Sequence, residues 1–195
     1  FPRFHQWEAV TELTNAVTAE GVGKRYLIQH SAGSGKTDSI AWTAHRMARL
    51  QVNNQKVFDS VIVITDRNVL DAQLQEAIKQ IDNDQGIVVA IDRDEAAKAG
   101  GSKSGLLAKA LTDGKLIIVV TIQTFPFAMQ AIRENKGLKG KRFAVVADEA
   151  HSSQSGQIAG KLKAVLTAEE LQEIEEGKEI DVEAVLAAEA SDRAA

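Results

Sequence analysis

The sequence predicts an α/β domain of three layers, a mostly parallel central sheet covered by helices on both faces. Three observations carry that expectation. Several runs of apolar, mostly β-branched residues have strand length, amphipathic segments separate them, and a Gly-rich turn follows one run and opens a helix. The chain has 195 residues, 44% hydrophobic and 26% charged, which suffices for one such domain with a substantial core.

The elements alternate along the chain. Tyr26-Leu27-Ile28-Gln29 reads as a short strand that enters the Gly-rich turn. A helix is expected over Lys36–Leu50, with Ile40, Ala44, Met47 and Ala48 on one side. Val61–Ile64 is wholly apolar and β-branched, as a strand buried on both faces should be. A helix over about 69–81 follows, with Leu70, Leu74, Ala77 and Ile81 on one stripe, and then a strand over Ile87–Ile91. Gly100–Gly105 predicts a flexible loop or a break between two short helices. Leu116–Val120 is a further buried strand, 124–134 a helix, and Phe143–Ala147 the last clear strand.

After residue 166 the character changes. Residues 167–195 are rich in Ala, Glu and Leu and predict two short amphipathic helices parted near Gly177, the first opened by a capping-box pattern at Thr167–Glu170. The chain therefore divides into a domain over 1–166 and an acidic helical segment over 167–195. It starts on Phe1 and closes without a terminal feature, so both ends read as cut from something longer.

Composition narrows the function. The sequence has no cysteine, which excludes disulfides and thiolate zinc sites. His5, His30, His45 and His151 are too far apart in sequence to form a close metal-ligand pair. No apolar run is long enough to span a bilayer and no leader pattern is present, so no membrane association and a cytoplasmic location are expected. Residues 1–142 carry 19 Lys+Arg against 15 Asp+Glu, whereas 143–195 carry 4 against 12. The acidity sits at the C-terminal end, and a mildly basic body remains compatible with a nucleic-acid partner or with an ordinary surface.

The chemistry concentrates at two places. His30-Ser31-Ala32-Gly33-Ser34-Gly35-Lys36-Thr37 lies between the expected strand and the expected helix, the context a P-loop requires. Glycines let the backbone approach phosphates, successive N–H groups form an anion nest, and the helix N-terminus adds its dipole. Residues 31–37 are thus the candidate nucleotide cradle, with Lys36 at the β- and γ-phosphates and the Thr37 hydroxyl on Mg²⁺. His30 stands where the pattern has its first glycine. At the end of the strand 143–147, Asp148-Glu149-Ala150-His151 places two acids where parallel sheets bind ligands. Asp148 is the candidate Mg²⁺ holder and Glu149 the candidate base for the attacking water. Alone, two acids after a strand are as consistent with surface or capping residues.

Together, the Gly33–Thr37 and Asp148–His151 stretches resemble superfamily 2 helicases and translocases. Thr65–Gln73 resembles motif Ia of the R subunit of type I restriction enzymes, Thr121–Phe125 that family's next motif, and Asp148–Gly156 its extended motif II, where an Arg often stands at the position of Ser152. The match runs from about Phe4 to the end.

The resemblance implies a RecA-like P-loop NTPase domain, the first of two in an ATP-driven double-stranded DNA translocase that belongs to a restriction endonuclease. It implies ATP and Mg²⁺ as cofactors, and modification (methyltransferase) and specificity subunits as partners. It gives His151 and Gln154 a role in coupling hydrolysis to movement. Arg67, Gln73, Thr121 and Gln123 would touch DNA, with solvated loop or cap positions as the alternative. Gln6, in Phe4-His5-Gln6, resembles the adenine-reading glutamine of such motors, since a Gln amide can pair with adenine N6 and N7; otherwise it is a polar residue at a helix start. The family's nuclease domain would precede residue 1. Motif III and a second RecA-like domain carrying an arginine finger would follow residue 195, so turnover by this segment alone is expected to be weak or absent. Two further readings remain: a DEAH-type helicase acting on RNA or forked DNA, and a nucleotide-binding or subunit-docking module inactive in isolation. Arg133, Lys136, Lys139, Lys141 and Arg142 form a basic cluster before the last strand, read as a solvated turn in preference to a DNA patch. Trp7, Trp42, Phe125 and Phe127 are expected in the core or at an interface, not as base-stacking platforms.

Overall fold

The structure, a computed structural model, describes residues 2–31, 33–65, 72–81, 88–91, 103–122, 124–125, 132 and 135–148. Its elements are α1 (Phe4–Glu20), α2 (Lys36–Ala48), β1 (Gln51–Val52), β2 (Gln55–Lys56), β3 (Ser60–Thr65), α3 (Ala72–Ile81), β4 (Val88–Ala90), α4 (Lys103–Thr112), β5 (Ile117–Thr121), a 3₁₀ turn (Lys136–Leu138) and β6 (Phe143–Ala147).

Four strands form a parallel sheet in the order β4-β5-β3-β6. β3 lies in its interior, with Val61 opposite Ile117 on one side and Ala144 on the other. Strand side chains alternate between faces, and here the alternation separates two cores. Val61, Val63, Ile117 and Val119 face Ala41, Ala44 and Met47 of α2, Val17 of α1, and Leu74 and Ile78 of α3. Ile62, Ile64, Ile118 and Val120 face Leu107, Ala110 and Leu111 of α4, with Phe125 and Leu138. All residues of β3 and β5 are buried, which is why these strands read as unbroken apolar runs. The predicted three-layer α/β class is thus the observed one.

Five local readings are corrected. Tyr26–Gln29 is not a strand: residues 24–30 have no helix or strand assignment, and Leu27 is 80% exposed. A strand needs a neighbour for its N–H and C=O groups, and the four-strand order ends at β6, whose Val145 is also exposed. The buried stripe of α3 is Leu74 and Ile78, four residues apart, while Ile81 is exposed at the helix end. α4 starts at Lys103, inside the expected Gly/Ser loop, and takes Gly105 into its first turn. Trp7 is exposed on α1, which removes the core half of its reading and leaves the interface half; Phe125 is buried as expected, and Phe127 lies outside the described residues. The fifth is an omission: β1 and β2 form an antiparallel hairpin. Its two turn residues, Asn53 and Asn54, have φ of 51° and 60°, the two left-handed residues of a tight hairpin turn that favours Asn.

The expected helix over 124–134 is described only in part, and residues 167–195 lie outside the described residues, as do 66–71. Among the described residues, no helix is long and apolar enough to cross a membrane.

Candidate nucleotide-binding site

Helix α2 begins at Lys36 directly behind the glycine loop. Its N-cap, Gly35, has φ 82° and ψ 43°, and Gly33 has φ 74°. Side-chain-bearing residues rarely adopt this region, so the two glycines sit where the loop turns sharply. α2 packs on α1 and α3 and against β3 and β6, which ties the loop to the sheet. Thr37 and Lys36 are half-buried at the first turn, the helix end whose dipole favours an anion.

Helix α1 supports the loop from behind. The Gln6 Nε2 donates to the Gly35 carbonyl at 2.9 Å and makes a longer contact of 3.5 Å with the Ser34 carbonyl. Gln6 Oε1 accepts from the Arg3 N–H at 2.8 Å, which fixes the amide's orientation. The His5 Nε2 lies 2.9 Å from the Ser34 carbonyl. Gln6 is only 3% exposed, and its Nε2, which the expected pairing with adenine N7 would use, is engaged by the loop carbonyls. The fit is close: a Cβ on Gly35 would stand 2.5 Å from Gln6 Nε2. The histidines that looked remote in sequence meet here, with the His5 and His30 rings edge to face at 5.7 Å. Among the described residues no group of three or more His, Cys, Asp or Glu is placed to hold a metal.

Asp148, the described member of the predicted acid pair, lies one residue beyond β6. The Asp148 N–H donates to the Ile64 carbonyl at 2.9 Å, extending the β3–β6 ladder. Asp148 therefore stands at the C-terminal edge of the sheet beside the end of β3, half-buried. This loop and this carboxylate suit a magnesium nucleotide: the glycine turn offers backbone N–H groups, Ser34 Oγ is buried without a partner among the described residues, and Thr37 and Asp148 supply oxygen donors, which Mg²⁺ prefers. Glu149, His151 and Gln154 lie outside the described residues, as does Ala32.

The remaining predicted residues divide. Gln73 is exposed on α3. Thr121 is buried at the end of β5; its hydroxyl lies 3.0 Å from that of Thr124 and 3.3 Å from the Thr124 N–H, which caps the start of the next helical turn. Thr65, its register partner on β3, carries a buried hydroxyl without a partner among the described residues. Arg67 and Gln123 lie outside the described residues. The basic cluster is at the opposite edge, before β6 begins. There the Arg142 carbonyl accepts from the Asp59 N–H, the Arg142 N–H donates to the Asp59 carboxylate and its guanidinium donates to the Lys56 carbonyl, and the Lys141 ammonium donates to the Leu111 carbonyl. Lys136 and Lys139 are exposed, as the solvated-turn reading expects.

The parallel sheet with a glycine-loop helix start and an acid at its C-terminal edge defines an α/β protein of the nucleotide-binding class. Residues 5–171 match the model of the SWI2/SNF2 ATPase family, most of the chain, and the chain belongs to that family. It is also 28% identical over 165 residues to the type I restriction enzyme HindI endonuclease subunit of Haemophilus influenzae (strain ATCC 51907 / DSM 11121 / KW20 / Rd). That alignment covers 78% of this chain and 14% of the relative, so the chain spans about a seventh of its length. No solved structure matches significantly. Both matches support the resemblance read from the motifs.

Proposed function

We propose that this chain is the ATP-binding motor domain of a type I restriction enzyme R subunit, where it drives translocation of double-stranded DNA. The observation that carries the reading is the glycine loop at the start of α2, joined through the sheet to Asp148 at the end of β6, in a chain similar to a restriction endonuclease subunit. Lys36 binds the β- and γ-phosphates as a point charge. Thr37 and Asp148 hold Mg²⁺, which neutralises phosphate charge during transfer. Glu149 orients and deprotonates the attacking water. Gln6 offers its side-chain oxygen to the adenine amine. His151 and Gln154 couple hydrolysis to movement.

DNA lies along the C-terminal edge of the sheet. Arg67, Gln73 and Gln123 are the contacting residues there, and Thr121 shapes the loop from beneath. Partners are the modification and specificity subunits of a restriction complex, in the cytoplasm. Hydrolysis requires groups beyond this domain, an arginine finger above all.

The test is ATP turnover and triplex displacement by the full-length protein on linear duplex DNA, forked DNA and RNA. Duplex-stimulated turnover with displacement of a distant third strand is expected. Stimulation by RNA or forks alone would favour the helicase alternative, and no turnover with any of them would favour a nucleotide-binding or docking module.

A further inference from the structure

Two side chains of α1 grip consecutive carbonyls of the loop, and a trans peptide makes that consequential. In a planar trans unit the C=O of one residue and the N–H of the next point in opposite directions, and no cis peptide bond occurs among the described residues. Holding the Ser34 carbonyl towards α1 therefore aims the Gly35 N–H the other way. The Gly35 carbonyl accepts from both Gln6 Nε2 and the Ser39 N–H, so it points along α2, and the Lys36 N–H then points out of the helix start. These two N–H groups are the ones an anion at that start would meet.

A carbonyl cannot donate, so the His5 nitrogen at 2.9 Å from Ser34 O must carry the proton. The His30 ring packs edge-on against His5 at 65°. His30 Nε2 is itself buried without a partner among the described residues. His30 thus serves the loop by packing and His5 by a directed hydrogen bond. Phe4 and Trp7 take no part. At 100° per residue they project opposite to His5 and Gln6, and both are exposed.

We propose that His5 is a positioning residue of the phosphate loop: its Nε2–H, oriented by His30, holds the Ser34 carbonyl outward and so presets the Gly35 N–H for phosphate binding. The proposal rests on the nucleotide reading of the loop. It assigns the role to the donor at the ε position, which amino-acid chemistry can separate from ring packing. Gln places an N–H donor at nearly the same distance from Cα as His Nε2, Asn places one a bond shorter, and Phe keeps the ring without a donor.

The experiment measures ATP affinity, KM, kcat and Tm for His5→Gln, His5→Asn and His5→Phe in the full-length protein, beside Lys36→Ala. His5→Phe and His5→Asn should weaken ATP binding and raise KM by about fivefold, the effect of one net hydrogen bond. kcat and Tm should change little, and His5→Gln should restore binding. Wild-type affinity in His5→Phe overturns the proposal. So does equal weakening in all three variants with a parallel fall in Tm, which marks packing alone. Unchanged binding in Lys36→Ala would overturn the nucleotide reading itself, whereas loss there with no effect of His5→Phe defeats the His5 role only.

Discussion

The side-chain amide of Gln6 donates to the Gly35 carbonyl at 2.9 Å, and a Cβ on Gly35 would stand 2.5 Å from that same nitrogen. Gly33 shares the left-handed backbone, with φ 74°, but a Cβ there would meet nothing within 4 Å. The two glycines therefore separate strain from collision. Gly33→Ala should cost only the backbone strain, about 1 kcal/mol. Gly35→Ala adds displacement of Gln6 and should lower ATP affinity at least about tenfold, equivalent to about 1.4 kcal/mol. Titration of a fluorescent ATP analogue into both variants checks this, and equal losses would contradict the Gln6 contact.

The acid pair should split binding from turnover. Glu149→Gln keeps shape and loses basicity, so the full-length enzyme should bind ATP normally and lose hydrolysis by about 100-fold or more. Asp148→Asn should instead weaken the Mg²⁺ dependence of binding. Steady-state ATP turnover and Mg²⁺ titrations distinguish the two, and an active Glu149→Gln enzyme would place the base elsewhere.

His45 joins α2 to α3. Its Nε2 donates to the Ile78 carbonyl at 2.7 Å, and Nδ1 faces the Arg49 guanidinium at 3.3 Å. Burial holds its pKa below the ordinary 6.5, and Arg49 pushes the same way against the Ile78 bond. As pH falls, the unfolded chain takes up this proton before the folded one does. The His45 contribution to stability is thus complete above about pH 6.5 and declines as pH drops through that value. Urea unfolding at about pH 7.5 and 5.5 should show a larger loss in wild type than in His45→Gln, which donates without titrating. Parallel losses would contradict the assignment.

The basic cluster before β6 is structural at Arg142, which bonds the Lys56 carbonyl of the hairpin. Arg142→Ala should lower stability by up to about 1 kcal/mol, with DNA-stimulated turnover unchanged, because this edge lies opposite Asp148. A reduced stimulation with unchanged Tm would restore the DNA-patch reading.

What the sequence made legible follows from burial. β3 and β5 are buried on both faces, so Val61–Ile64 and Leu116–Val120 could be little else than inner strands. The glycine turn was legible from the helix it opens, although the strand expected before it is absent, and the place of Asp148 from the apolar run of β6 that precedes it. Tyr26–Gln29 misled because a short apolar run does not say whether a neighbouring strand pairs with it. The 51–56 hairpin escaped because its strands are two residues each and mostly exposed; only the Asn53-Asn54 pair signalled it. The His5–His30 contact joins residues 25 positions apart and has no local signature at all.

The most direct test of the account is the ATP affinity of Lys36→Ala against wild type, titrated with a fluorescent ATP analogue in the presence of Mg²⁺. Lys36 begins α2 behind two left-handed glycines, where its ammonium is the mobile cation assigned to the β- and γ-phosphates. Loss of tight binding with an unchanged Tm is the predicted result. Equal affinity in the two proteins would contradict the assignment of this loop as the nucleotide site.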